Sequence, residues 1–228
     1  MPEVTQQDRP FARELLDREL RAITAAAMAM GAAVEDAIRG AVNALVTNDA
    51  ALAGQVVDAD PRINEMQREV SALVTTAIAT QQPVARDLRF LLALDHVGYE
   101  LERIGDHAKS VAKHARILAG EADPPVETAL HEIGELAVRQ LHDIVEALVG
   151  VDEDAARRVA ALDDEIDERY HATFERLLAL MRADAANVER GTRLLLVAHD
   201  FERIGDRVTN IAEDVVFLAR GEIEDLNP

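Results

Sequence analysis

The stretch Glu102-Arg103-Ile104-Gly105-Asp106 is the strongest signal in the sequence, because the same five residues recur at 202–206, one hundred positions later. Residues four apart share one face of an α-helix, so each copy places two carboxylates about one turn apart. Like charges at that spacing weaken a helix by roughly a few tenths of a kcal/mol. Their repetition indicates that something else occupies this face.

Apolar residues surround both copies at the alternating three- and four-residue spacing of a helical seam. Aligned on the shared pentapeptide, the seam positions of the two halves correspond one for one. They are Leu94, Val97, Leu101, Ile104, Ala108, Val111, Ala115 and Leu118 in the first half, and Leu194, Val197, Phe201, Ile204, Val208, Ile211, Val215 and Leu218 in the second. The match indicates an internal duplication.

Similar seams divide each half into three helical segments. We predict the first helix at Phe11 to Val46, the fourth at Val126 to Val149 and the fifth at Asp152 to Met181. Aromatic residues make up only 3% of the chain, and no strand pattern competes. The sequence therefore predicts an all-α fold of two tandem antiparallel three-helix bundles, with six long helices related by internal duplication.

Turn residues set the predicted boundaries. Asp49 and Asp184 are suited to cap the second and sixth helices, and Pro83 is suited to the first position of the third. The clearest linker is 122–125, which reads Ala-Asp-Pro-Pro. We therefore predict one domain at 1–121 and a second at 126–228.

Composition excludes several classes of function. The absence of cysteine rules out zinc-thiolate sites, thiol catalysis and disulfides. A formal charge of -19 disfavours binding to nucleic acid or to an anionic membrane surface and favours a cation as the partner. The sequence shows no signal peptide and no bilayer-spanning segment. We expect a cytoplasmic protein without membrane insertion.

Folding each half back on itself brings further acidic residues opposite the repeated pairs. About the turn near Gln82, Asp60 and Asn64 reach the level of Glu102 and Asp106. Oxygen-rich clusters of this kind suit Mg²⁺, Mn²⁺, Ca²⁺ or iron. We therefore predict a metal site between the second and third helices.

The same count in the second half places Asp163 and Asp167 opposite Glu202 and Asp206. This set has four carboxylates, whereas the first has three and an amide. Glycine inside a helix costs about 1 kcal/mol relative to alanine, so Gly105 and Gly205 indicate that each cluster needs room.

Neighbouring residues on the sixth helix add to the asymmetry of the two clusters. His199, Asn210 and Glu213 continue the acidic face there. Their equivalents in the first half are the poorer ligands Tyr99, Ser110 and Lys113. We therefore predict stronger metal binding by the second cluster.

Other interpretations compete with a metal site. A Glu-xxx-Asp pair in an acidic chain is commonly a solvated helix face. A di-iron enzyme needs two Glu-x-x-His sets, and Glu168 to His171 supplies one. A structural helical adaptor is a third alternative. For Arg103 and Arg203 we favour ion pairs with Glu100 and Asp200 over binding of an anion such as phosphate.

Three longer motifs carry a resemblance to a known family. They are QQPVARDLR at 81–89, ELERIGDHAKSVAK from Glu100 and DFERIGDRVTNIAEDV from Asp200. Together and in this order they resemble the PhoU family, the accessory and regulatory proteins of the phosphate-specific transport system. The resemblance covers almost the whole chain and implies a pair of three-helix bundles.

The resemblance also implies a function, cofactors and partners. It implies a regulator, not an enzyme, that represses the phosphate-starvation response together with a phosphate ABC transporter and a sensor histidine kinase. It implies multinuclear metal sites at the repeated Glu-xxx-Asp motifs, with iron, manganese, magnesium and zinc all open. Asn64 stands where the second half has Asp167, which departs from a full first cluster. We also expect a homodimer.

Overall fold

A computed structural model describes residues 8–119 and 127–227, and within these ranges the chain is helical apart from short turns and the segment 221–227. The helices are α1 (Asp8–Val46), α2 (Ala50–Gln81), α3 (Ala85–Leu118), α4 (Glu127–Gly150), α5 (Glu153–Ala160), α6 (Asp163–Ala183) and α7 (Val188–Arg220), and a 3₁₀ turn at Ala185–Asn187 precedes α7. None of these helices is long and apolar enough to cross a bilayer.

The helices form the two predicted three-helix bundles. Helices α1, α2 and α3 pack against one another, and α4, α6 and α7 form the second bundle, in which α5 packs on α4 and α7. Helix α3 also lies along α7, and α1 lies along α4. The two bundles therefore share one continuous apolar core. The predicted linker at 122–125 lies outside the described residues, so the domain boundaries stay a prediction.

Every seam position aligned between the two halves is buried. Between α3 and α7, two carboxylates at equivalent positions form polar contacts across the bundle interface. Glu100 lies 3.4 Å from the guanidinium of Arg207, and Asp200 lies 2.9 Å from Nδ1 of His107. Because residues 100 and 200, like 107 and 207, are equivalent in the repeat, these contacts relate the two halves by an approximate two-fold.

The predicted fifth helix is broken at 161–162 into α5 and α6. No glycine or proline marks this break, so the apolar periodicity did not predict it. The new helix begins at Asp163 and has acidic residues at its first three positions. Free N–H groups and the helix dipole favour negative charge there.

Two of the three predicted turn assignments need correction. Asp49 caps α2 as predicted, since its side chain accepts hydrogen bonds from the N–H groups of residues 51 and 52. Pro83 lies outside α3, which begins at Ala85, because Gln82 takes up a left-handed conformation and the turn extends beyond the proline. Asp184 caps the 3₁₀ turn before α7 instead of α7 itself.

Candidate metal centre

The first cluster lies between α2 and α3 and contains a cation from the protein itself. Asp60 is 4% exposed, and Asn64 donates to its Oδ2 at 3.3 Å. The ammonium of Lys109 lies 2.5 Å from the same oxygen and 3.6 Å from Oδ1 of Asp106. Burial, followed by the charge of Asp106, raises the pKa of Glu102. The predicted residues are together, and Lys109 neutralises the most buried of them.

The second cluster lies between α6 and α7 and has no lysine at the equivalent position, which is Thr209. Asp163 is only 1% exposed. Its Oδ1 is buried without a hydrogen-bond partner among the described residues. Asp167 and Asp206 are close enough for their charges to raise the pKa of Asp163. The four carboxylates predicted for this cluster are therefore neighbours.

Burial and repulsion by neighbouring carboxylates raise the pKa values of three side chains in the second cluster. The pKa of Asp163 rises to about 6, first because the side chain is buried and then because of Asp206 and Asp167. The pKa values of Asp167 and Glu202 are raised by burial and then by Asp206. A group of partly buried carboxylates that repel one another is suited to a multivalent cation.

The repeated glycines make room, but protein side chains take up the space. At Gly105 an added Cβ would lie 3.1 Å from Cγ2 of Ile63, on the facing helix. At Gly205 it would overlap Oδ1 of Asp163 itself. The second glycine therefore allows Asp163 to be buried against α7, which a larger residue at that position would prevent.

Neither arginine of the repeated motif forms the predicted ion pair. Arg103 donates to the hydroxyl of Tyr99, at 3.0 Å from Nε and 2.7 Å from Nη2, and Arg203 pairs with Asp206. The expected partners Glu100 and Asp200 face the other bundle instead. Arg203 therefore holds one of the candidate ligand carboxylates.

The residues predicted to extend the second cluster have separate roles. Nδ1 of His199 lies 3.2 Å from Oε2 of Glu202, although this oxygen accepts no hydrogen bond from the described residues. Glu213 instead accepts a hydrogen bond from the N–H of Leu226 at 3.0 Å. The Nδ2 group of Asn227 donates to Oδ2 of Asp163 at 2.9 Å. Sequence reasoning missed Asn227, whose segment carries no periodic signal.

The Glu-x-x-His set of the di-iron alternative does not face the cluster. Glu168 is exposed, and Nδ1 of His171 lies 2.8 Å from the backbone carbonyl of Asp167. The structure therefore offers no support for a four-helix di-iron core at this place.

Across residues 8–119 and 127–227, no three His, Asp or Glu side chains converge on one point that could hold a metal ion as they stand. In the second cluster, Arg203 and Asn227 hold Asp206 and Asp163 in other contacts. The side chains fit an ion in their chemistry, because Asp163 has a buried oxygen without a partner. Binding would require the carboxylates to turn towards a common point.

Comparison with known proteins adds to this geometry. A model of the PhoU domain matches the chain twice, over residues 27–115 and 130–215. The chain belongs to the PhoU family. One domain falls in each half, which supports the internal duplication, and each contains one of the two acidic clusters.

PhoU relatives match over most of their length. The Phosphate-specific transport system accessory protein PhoU homolog of Caulobacter vibrioides is 38% identical, over 90% of this chain and 89% of that protein. The crystal structure of PhoU from Pseudomonas aeruginosa has a TM-score of 0.87 and 34% identity, over 90% of this chain and 99% of that one. The phosphate transport system regulatory protein PhoU from Streptococcus pneumoniae has a TM-score of 0.86 and 28% identity, over 92% and 99%. The relatives are thus named as accessory or regulatory proteins.

Proposed function

We propose that this protein is the accessory regulator of a phosphate-specific transport system. It couples a phosphate ABC transporter to a sensor histidine kinase and represses the phosphate-starvation response when phosphate is plentiful. The observation that carries the proposal is the match of both halves to the PhoU domain. Accessory or regulatory names among relatives that match nine-tenths of the chain support it.

A divalent or ferric metal ion at the second cluster is part of this proposal. Asp163, Asp167, Glu202 and Asp206 would hold it, because they lie close together, the pKa values of the first three are raised by burial and by their neighbours, and Oδ1 of Asp163 is buried without a hydrogen-bond partner among the described residues. The ion would supply positive charge that draws these carboxylates together. The first cluster, with Asp60 paired to Lys109, would bind such an ion more weakly.

The metal ion would influence partner binding through the surface of α7. Asp206 and Glu202 lie on α7, the helix that packs along α3 at the centre of the molecule. Arg203 pairs with Asp206. Turning Asp206 towards an ion would therefore release Arg203. Metal binding would thereby change the charge that α7 presents to a partner.

The test is binding of the transporter ATPase subunit and of the kinase to purified protein. We expect the combined Glu202→Ala and Asp206→Ala variant to bind both about tenfold more weakly, a loss of 1.4 kcal/mol. The matched variant, with Glu102→Ala and Asp106→Ala in the first cluster, should bind as the wild type does. Unchanged partner binding by a second-cluster variant that has demonstrably lost its metal would refute the coupling. A wild type that binds neither partner would refute the regulatory role.

A further inference from the structure

The segment that follows α7, residues 221–227, turns back across the second cluster. Gly221 ends α7 in the left-handed conformation, with a φ of 80°, which lets the chain reverse direction there. Five residues later, Leu226 is partly buried against the apolar core. The segment therefore packs on the second bundle.

Polar contacts attach this segment to three different helices. The guanidinium of Arg157 on α5 donates to both oxygens of Glu224, at 2.9 and 2.7 Å. The N–H of Leu226 donates to Glu213 on α7, and the amide of Asn227 donates to Asp163 on α6. Paired N–H donors on a carboxylate fix direction as well as distance. The attachment is therefore specific in position and does not rest on apolar contact alone.

A polar cavity of about 360 Å³ lies between α7 and the segment. Its lining includes Asp206 from the cluster and Asn227 from the segment. Thr209 also lines it, and its hydroxyl is buried without a hydrogen-bond partner among the described residues. A water molecule takes up about 30 Å³ of liquid volume, so the space admits several waters or a hydrated ion.

We propose that segment 221–227 is the cover of the second cluster and that Asn227 is a positioning residue for Asp163. The inference rests on the proposed metal site. Hydrogen bonds to a ligand carboxylate orient it, and their loss commonly reduces metal affinity by about 10- to 100-fold. Asn227 supplies such a bond to Oδ2 and leaves Oδ1 of Asp163 without a partner. The Arg157–Glu224 pair anchors the segment, whose Asp225 and Asn227 line the cavity beside Asp206.

The experiment measures release of Mn²⁺ from loaded protein into a chromogenic chelator by stopped flow. Asn227→Ala removes the orienting amide, and Glu224→Gln weakens the anchor to Arg157 without changing its shape. We expect each variant to release Mn²⁺ about tenfold faster than the wild type. The matched control is Glu222→Gln, which makes the same charge change at an exposed position of the same segment and should release at the wild-type rate.

Hydrogen exchange of the metal-free protein gives a second measurement. Glu224→Gln should speed exchange at the N–H of Leu226, which bonds to Glu213, and leave the α7 amides protected. Wild-type release rates in both variants, or unchanged exchange at Leu226, would overturn the cover while leaving the metal site intact. A wild type that fails to bind Mn²⁺ would overturn the metal site and the cover with it.

Discussion

Replacing Lys109 with methionine should lower the free energy of unfolding by about 3 kcal/mol, measured by urea denaturation. The ammonium lies 2.5 Å from Oδ2 of Asp60, a carboxylate that is 4% exposed. This contact raises the pKa of Lys109, so its ammonium is charged at neutral pH. Methionine keeps the apolar stem of the side chain and removes only the charge that neutralises Asp60.

Two controls separate the loss of the Lys109 charge from other effects of the substitution. Adding Asp60→Asn to the Lys109→Met variant should recover most of the lost stability, because no buried charge is then left unpaired. Lys113→Met, one turn further along the same helix at an exposed position, should change stability by less than about 0.5 kcal/mol. Equal effects at 109 and 113 would show that Lys109 does not neutralise the first cluster.

Removing a charge from the second cluster should raise the free energy of unfolding instead of lowering it. Asp163→Asn should raise the stability of the metal-free protein at pH 7 by about 2 kcal/mol, because it removes a buried charge repelled by its neighbours. Asparagine keeps an oxygen that can accept the hydrogen bond from Asn227. The same variant should lose the stabilisation that Mn²⁺ gives to the wild type.

The pH dependence of this stability gain follows from the pKa of Asp163, which burial raises from 3.8 to about 6. Between these values the folded protein holds a proton that the unfolded chain has released, so the contribution of Asp163 to stability falls as the pH rises. The advantage of Asp163→Asn should therefore grow from about pH 4 to pH 6 and then level off. Urea unfolding in the presence of chelator across this range measures it.

A matched variant in the first cluster shows whether the surroundings of a buried carboxylate determine if its removal stabilises or destabilises the protein. Asp60→Asn removes the carboxylate that pairs with Lys109 and should destabilise the protein, whereas Asp163→Asn stabilises it. A metal-free Asp163→Asn protein that is less stable than the wild type at pH 7 would contradict this prediction. It would mean that the carboxylate has a cationic partner in the folded protein.

Much of the fold could be predicted from the sequence, because the spacing of apolar residues determines which face of a helix is buried. The seams through Ile104 and Ile204 predicted two long helices in equivalent places, and both are buried. The break before Asp163 escaped prediction because its signal is electrostatic, a run of acidic residues at a helix start. The sequence alone also did not show that α3 packs along α7, since their contact depends on how two separately predicted bundles dock.

The candidate site was predicted as four acidic or amide positions in each half, and the structure brings each set together. What reasoning from the sequence missed were their neutralising and orienting partners. Lys109 stands three residues after Asp106, a spacing that indicates an ion pair on one helix face, whereas its contact with Asp60 depends on the facing helix. Asn227 approaches Asp163 from 64 residues away, through a turn that no periodicity describes. The metal's identity and the homodimer stay predictions.

We propose that the second cluster binds metal, whereas Lys109 neutralises the first. Elemental analysis after equilibration with Mn²⁺ and removal of free ion measures this difference. We expect bound manganese in the wild type and in the Glu102→Ala, Asp106→Ala variant, and a background level in the Glu202→Ala, Asp206→Ala variant. Loss of manganese from the first-cluster variant alone, or retention in the second-cluster variant, would contradict it.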